Sequence, residues 1–405
     1  MTQLSKERQD AILKILHYIQ DGGELEGAKK MFKAAFDQVD VSEITAAERE
    51  LIKQGLDPRQ IQYLCNVHAD VFKGNIKENK ENPDFSIPGH PVHTFKQENV
   101  VIKSLVNDFL LPNLKKWDQT SDDKFLEKIK QALSDLATID KHYKRKEVSM
   151  FSLMNKYGIT APPQVMWGVD DKIRQYIKAA QEAANRIPAI KDEVDDTISA
   201  ACHEVLEMIF KEEEIMLPML DEVADRTDWL NVKNEEKQIG YTLINEPMNW
   251  QPKINQKEDG PIAIDSLASF FVNFREGKLN LEQLEAIFDL LPFDLTFVDE
   301  QDQVAFFGGG AHIFPHSKNA IGTSVFSCHT AESRPIIEKI FQAFHEGKKN
   351  KLTYWFTPKS LGRTLFLQYF AVRNSDGKYL GCLEIAQDIT DIKNLTGEKK
   401  NTNFI

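Results

Sequence analysis

Residues 142–151 read HYKRKEVSMF and residues 210–219 read FKEEEIMLPM, and the helical register of these two stretches decides how the middle of the chain folds. In the second, Glu212 falls between Ile209 and Met216, on the stripe that a 3.6-residue period should keep apolar. Working outward, Asp170 sits in the same way between Met166 and Ile173, and Glu98 and Asn99 sit between Phe95 and Ile102. A carboxylate turned into a core needs a partner, and a metal is one option. The segments carrying these residues, 91–111, 122–156, 164–186 and 192–222, are long and amphipathic, with turn-rich joints such as Lys156-Tyr157-Gly158 and Ala161-Pro162-Pro163. Four such helices in succession predict a four-helix bundle over 86–224.

Ahead of the bundle, Ile12, Leu13, Ile15, Leu16 and Ile19 form one helical face that Asp21-Gly22-Gly23 ends, and Met31, Phe32, Ala35 and Phe36 form another. Asp57-Pro58 caps a further helix, which sets Ile61, Cys65, His68 and Phe72 on one side. Residues 1–76 therefore read as a helical N-terminal domain, closed by the loop GNIKENKENPDFSIPG. Behind the bundle, residues 225–283 read as an irregular connector. The period then changes to two: DLTFVD, VAFF, KLTYWF, TLFLQYFAV and YLGCLEIA alternate as strands, with a helix over Ile336–Phe344 between the second and third. Residues 284–394 thus form an α+β domain with an antiparallel sheet, and the fold class is multidomain, α followed by α+β.

With 405 residues and 41% apolar composition the chain can build several cores. The N-terminal stretch MTQLSKERQD is polar and no apolar run reaches the ~20 residues of a membrane helix, so a cytoplasmic protein without a membrane partner is expected. A net charge of −12 opposes nucleic-acid binding. Cys65, Cys202, Cys328 and Cys382 are far apart, which excludes a disulfide framework and a zinc ribbon. No phosphate loop, dinucleotide fingerprint or nucleophile elbow is present, so an enzyme is not expected.

The stretches LIKQGLDPRQIQYLCNVHADVFK, GHPVHTFKQEN, HYKRKEVSMF, GITAPPQVMWGVDDKIR, FKEEEIMLPM, LPFDLTFVDEQDQVAFF and YLGCLEIAQDIT together resemble a family that joins a domain of unknown function 438, a hemerythrin-type cation-binding bundle and a PAS domain. The resemblance implies a sensor or signalling protein, coupling a metal or redox-responsive bundle to a PAS ligand or redox module. A non-catalytic adaptor with a degenerate metal site is the alternative, and an iron-dependent oxygen or nitric-oxide handling protein a further one. Only about fifteen residues follow Asp388-Ile389-Thr390, so a separate signalling partner protein, or a homodimer, is expected to carry the output.

The family's di-iron pattern is one His on the first helix, His-x-x-x-Glu on the second, one His on the third and a His with a carboxylate on the fourth. Here Asn99, Lys146, Asp170 and Met208 stand at four of those places, while His142 and Glu212 are retained, so a standard di-iron site is not expected. His93 and His203 are displaced toward opposite ends of the bundle by about 8–9 Å, at ~1.5 Å rise per residue, and cannot share an ion. An iron or zinc set from Cys65, His68, His90 and His93 remains open, with Glu147 and Glu213 as further oxygen donors and His142 within the bundle. In the PAS domain a haem or flavin would face Phe297, Phe326 and Tyr369, with Cys328 as a redox handle and His329 as a haem ligand. Val325, three residues after Gly322, replaces the flavin-reactive cysteine of a photoreceptor.

Overall fold

The computed structural model describes residues 82–251, 271–330, 332–358 and 362–397, with scattered positions between 10 and 34. Two compact units divide the chain, Met1–Pro252 and Lys253–Ile405.

The first unit holds the bundle. Its first rod is α1 (Pro91–Ser104), which passes through a π-helical stretch (Leu105–Leu110) into α2 (Leu111–Thr120). The second comprises α3 (Asp123–Ala137), α4 (Ile139–Arg145), a π-helical stretch (Lys146–Met150) and α5 (Phe151–Lys156). The third is α6 (Ala161–Asn185), and the fourth runs from α7 (Lys191–Lys211) through a π-helical stretch (Glu212–Met216) into α8 (Leu217–Asp221). Pro112 and Pro218 account for two of the π stretches: a proline lacks the N–H for the regular bond and its ring crowds the carbonyl four residues earlier, so the ladder widens just ahead of it. The third contains no proline and begins at Lys146. Between the rods lies one core of Ile102, Leu110, Ile129, Leu133, Ile173, Ile198 and Val205, all fully buried.

Residues at the start of the supposed connector are ordered on this bundle. A capping box between Asp225 and Asp228 starts α9 (Arg226–Ile239), and its Trp229 and Val232, with Trp250 beyond, join the bundle core. The reading as an irregular connector missed this helix because its mean composition is polar and only one face carries apolar residues.

In the second unit, a hairpin of β1 (Phe271–Phe274) and β2 (Gly277–Asn280) leads into α10 (Leu281–Leu290). A five-stranded antiparallel sheet follows, from β3 (Asp294–Asp299), β4 (Val304–Gly308), β5 (Lys351–Phe356), β6 (Leu365–Arg373) and β7 (Tyr379–Asp388), in the order β4-β3-β7-β6-β5. The helix α11 (Arg334–His345) buries Ile337, Ile340, Phe341 and Phe344 against its inner face, which on the order of 6–12 kcal/mol of apolar burial holds in place before ordering costs. Strand alternation assigns the faces. Thr296, Glu384, Tyr369 and Leu352 form one cross-strand row on the side of the core, whereas Phe306, Phe297, Leu383 and Phe370 form a row on the other side.

Candidate functional site

At mid-height in the bundle six ionisable side chains meet in a space closed to solvent: Glu98, His142, Arg145, Lys146, Asp170 and Glu212, none more than 2% exposed. His142 and Lys146 are one helical turn apart and face inward together, with Arg145 beside them. The Lys146 ammonium donates to Asp170 Oδ1 at 2.7 Å and to Glu212 Oε1 at 2.6 Å, joining the second, third and fourth rods. His142 bridges two carboxylates, with Nδ1 2.8 Å from Glu98 Oε2 and Nε2 3.3 Å from Glu212 Oε2, and its ring stacks on Phe95 at 3.8 Å. Arg145 Nη1 donates to Glu98 Oε1 at 3.1 Å, and Nη2 donates to Glu98 Oε2.

The network reaches past the rods. Glu98 Oε1 also accepts from the Thr242 backbone N–H at 2.5 Å, and Arg145 donates to the Gly240 carbonyl at 2.6 Å while lying 4.9 Å from the Tyr241 ring centroid. The segment that follows α9 is therefore pinned by the same groups that close the core.

Charge is balanced within the cluster. Lys146 with Glu212 and Arg145 with Glu98 make two ion pairs, and Asp170 with His142 remains neutral overall whichever of the two holds the proton. Burial opposes ionisation of Glu212, but Lys146 and His142 overcome it and bring the carboxyl to about 2. Glu98 is likewise lowered, burial being outweighed by His142 and Arg145. Burial disfavours the His142 imidazolium, yet Glu212 and Glu98 raise it above the ordinary value. Asp170 is pushed well up by burial, since Oδ1 has a donor and Oδ2 has none.

The other expected ligands lie elsewhere. His90 caps α1, its Nδ1 accepting from the Val92 N–H at 3.1 Å, and its ring is enclosed by Trp250 at 4.5 Å, Phe85 at 5.2 Å and Trp229 at 5.3 Å; burial lowers it to about 4. His93 is partly buried, and among the described residues its Nδ1 has no hydrogen-bond partner. Glu147, expected as an oxygen donor, is held by Arg174 through both oxygens at 2.9 and 3.1 Å, and Glu213 pairs with Lys103 at 2.8 Å near the surface. Each carboxylate has a cation on its own side of the bundle. Cys65 and His68 lie outside the described residues. Among the described residues, no three His, Cys, Asp or Glu side chains are arranged to hold a metal. By sequence the run Lys144-Arg145-Lys146 reads as solvated, with neutralisation of buried carboxylates as the alternative, and Arg145 and Lys146 take the alternative; the available signal was charge, since three inward carboxylates require inward cations nearby.

In the second unit Tyr369 and Phe326 are on the inner side, Phe326 edge-on to Phe341 at 5.6 Å, but Phe297 is on the outer side of the sheet and does not line that interior. The Tyr354 and Tyr369 hydroxyls are 3.2 Å apart, and Glu384, in register with Tyr369, is raised by burial to about 7. His316 pairs with Asp294 at 2.6 Å and stacks on Phe307 at 4.2 Å. Cys328 is exposed as a residue, but its thiol is surrounded closely enough to be pushed up to about 11, too high for a thiolate handle at neutral pH. Burial lowers His329 to about 4, leaving a neutral imidazole.

With this geometry in hand, the family comparisons decide the domain content. A family of unknown function (DUF438) matches residues 12–78, the hemerythrin HHE cation binding domain matches 90–220, and the PAS domain matches 284–390. The three matches follow one another along the chain in that order. A C-terminal domain from Streptococcus mutans is 28% identical, covering 32% of this chain and 99% of that one at a TM-score of 0.30. The PAS domain of a protein from Colwellia psychrerythraea is 22% identical, covering 27% and 98%, at a TM-score of 0.23. Among curated proteins none matches.

A hemerythrin domain implies metal, and the residues of this one do not fit it. The lysine ammonium lies between the two carboxylates that an ion would need, Asn99 and Met208 supply weak or unsuitable donors at two histidine positions, and both nitrogens of His142 already face carboxylates. PAS domains can hold haem or flavin. For such a group the inner face offers the Tyr354 and Tyr369 hydroxyls and the Glu384 carboxyl.

Proposed function

We propose that the protein is a cytoplasmic sensor or signalling protein in which a ligand or redox cofactor in the PAS domain is the input and the hemerythrin-like bundle the responding element. The observation that carries this reading is the pair of bonds from Glu98 to the Thr242 N–H and from Arg145 to the Gly240 carbonyl. Through these bonds residues 240–242 are fastened to the buried ion network, which gives a change in that segment a path to the network. An iron-dependent oxygen or nitric-oxide activity finds no ligand set in this bundle. A non-catalytic adaptor is the second reading, favoured by the way Lys146 completes the core with protein groups alone.

Two measurements on the full chain test the proposal. An absorption spectrum of freshly purified protein reports haem or flavin. Amide exchange of wild type and Glu98→Gln then reports coupling: the sensor reading expects altered exchange in peptides from 284–390 as well as around Thr242, and the adaptor reading expects the change to stop near residue 252. Unaltered exchange in the PAS domain, with no chromophore bound, would leave the sensor reading without support.

A further inference from the structure

The charge at the centre of this bundle is unusual in kind as well as position. Hemerythrin-type bundles gather carboxylates and imidazoles from all four helices around cations; here the carboxylates of the third and fourth rods are gathered around a nitrogen. Lys146 Nζ donates to both Asp170 and Glu212, at 2.7 and 2.6 Å, with its own stem fully buried and its head 4.2 Å from the Tyr143 ring centroid. Among the described residues Lys146 begins the one π-helical stretch that no proline explains, four residues after His142. Substituting a Glu at that place would rebuild the sequence His142-x-x-x-Glu, beside Asp170 and Glu212.

We infer that Lys146 is a built-in replacement for the metal: its ammonium is the cation that ties the second, third and fourth rods, Arg145 and His142 extend the tie to the first rod through Glu98, and the bundle is complete without an ion. The inference stands whether or not the two units of the chain are coupled. Three features support it together. The lysine is surrounded by oxygen acceptors from different helices, as an ion would be. The cluster is charge-balanced as it stands, so an added divalent ion would bring two uncompensated positive charges into a closed core. The carboxylates left over at the periphery, Glu147 and Glu213, are already engaged by Arg174 and Lys103 and are not free to move in.

The converse follows. Removing the ammonium and adding a carboxylate leaves His142, Asp170, Glu212 and the new side chain around one point, a nitrogen and oxygen set suited to a first-row divalent ion. The test is therefore Lys146→Glu in the full-length chain, with Co²⁺ as the probe. In wild type, Co²⁺ is expected to give no ligand-field absorption that depends on Glu212 and no Tm shift that Glu212→Ala removes. In Lys146→Glu, Co²⁺ is expected to give such a band and to raise Tm by roughly 8–16 °C at a thousandfold excess over Kd, both lost on adding Glu212→Ala. Wild type taking up Co²⁺ in a manner abolished by Glu212→Ala overturns the inference, and so does a folded Lys146→Glu protein that ignores the ion. If Lys146→Glu does not fold even with Co²⁺ present, Lys146→Met decides: the inference expects a lowered Tm that is partly restored when Asp170→Asn and Glu212→Gln are added, whereas a Tm equal to wild type refutes it.

Discussion

Replacing Glu98 by Gln removes the acceptor on which the bundle's first rod and the 240–242 segment both depend. Glu98 is fully buried and receives hydrogen bonds from His142, both Arg145 nitrogens and the Thr242 N–H. Gln keeps the shape but offers one oxygen in place of two and leaves the Arg145 guanidinium without its counter-charge. Taking one partner from a buried ion pair costs about 3–5 kcal/mol. Arg145 keeps the Gly240 carbonyl at 2.6 Å, so the lower end applies, about 3 kcal/mol. For a unit spanning Met1–Pro252 each kcal/mol moves Tm by about 2–4 °C, giving a fall of roughly 6–12 °C by circular dichroism at pH 7. Amide exchange should show Thr242 losing its protection first, because its N–H donates to the substituted group. As a control, Glu213→Gln removes a partly exposed pair with Lys103 and should move Tm by no more than about 4 °C. A fall under about 2 °C for Glu98→Gln with Thr242 exchange unchanged would refute the reasoning, since the charge would then not be compensated where the geometry places it.

The same groups fix a pH profile. Glu212, at about 2 when folded, and Glu98, lowered, contribute stability that is present above their ordinary value of 4.5 and is lost as pH falls through the folded values; Glu212 alone accounts for about 3 kcal/mol of that acid arm. His142, raised, contributes below its ordinary 6.5 and loses that contribution as pH climbs, and Asp170, also raised, adds to the alkaline decline. Asp170 begins to lose its contribution above its ordinary 3.8 while the gain from Glu212 and Glu98 is complete just above 4.5, so thermal melts from pH 2 to 9 should peak near pH 4.5 and decline above it, and His142→Gln should flatten the decline above pH 6.5; a peak above pH 8 would contradict this. In the PAS domain, Glu384 is raised to about 7, so the folded unit loses stability as pH climbs from about 4.5 through 7, and Glu384→Gln should raise stability at pH 8 by up to about 3 kcal/mol and leave pH 4 unchanged, read by urea titration. His90→Ala should cost about 2–3 kcal/mol through the lost cap and the space left between Trp229 and Trp250, with the same cost in the presence and absence of zinc. A zinc-dependent difference would return His90 to the list of ligands.

How far the sequence could be read differs between fold and site. The helical period placed three of the four rods within a few residues, the first running on to Thr120, nine residues past its expected end, and the strands DLTFVD, VAFF, KLTYWF and YLGCLEIA form where alternation predicts them. Those signals are local, so a single strand of text carries them. Phe297 shows the limit: its neighbours give it a face but not which face, and the register Phe297 with Leu383 and Phe370 turns it away from Tyr369. The bundle centre was half legible. Glu98, Asp170 and Glu212 announce themselves because carboxylates break an apolar stripe, whereas Lys146 lies in a basic run that looks like any solvated helix surface. Only a count of inward charge distinguishes the two. The contribution of Gly240 and Thr242 was not legible at all, because it is made by backbone groups more than 90 residues from Glu98 and Arg145.

The most direct test of the account is nitrogen-15 NMR of the lysine side-chain ammonium groups in the full chain at neutral pH. An ammonium enclosed by Asp170 and Glu212 exchanges its protons slowly, so one lysine signal should persist at pH 7, disappear in Lys146→Gln and remain unchanged after incubation with iron(II). Loss of that signal on adding iron, with His142 resonances shifted or broadened by the ion, would mean that a metal displaces the lysine and would contradict the claim that the bundle is closed by its own side chains.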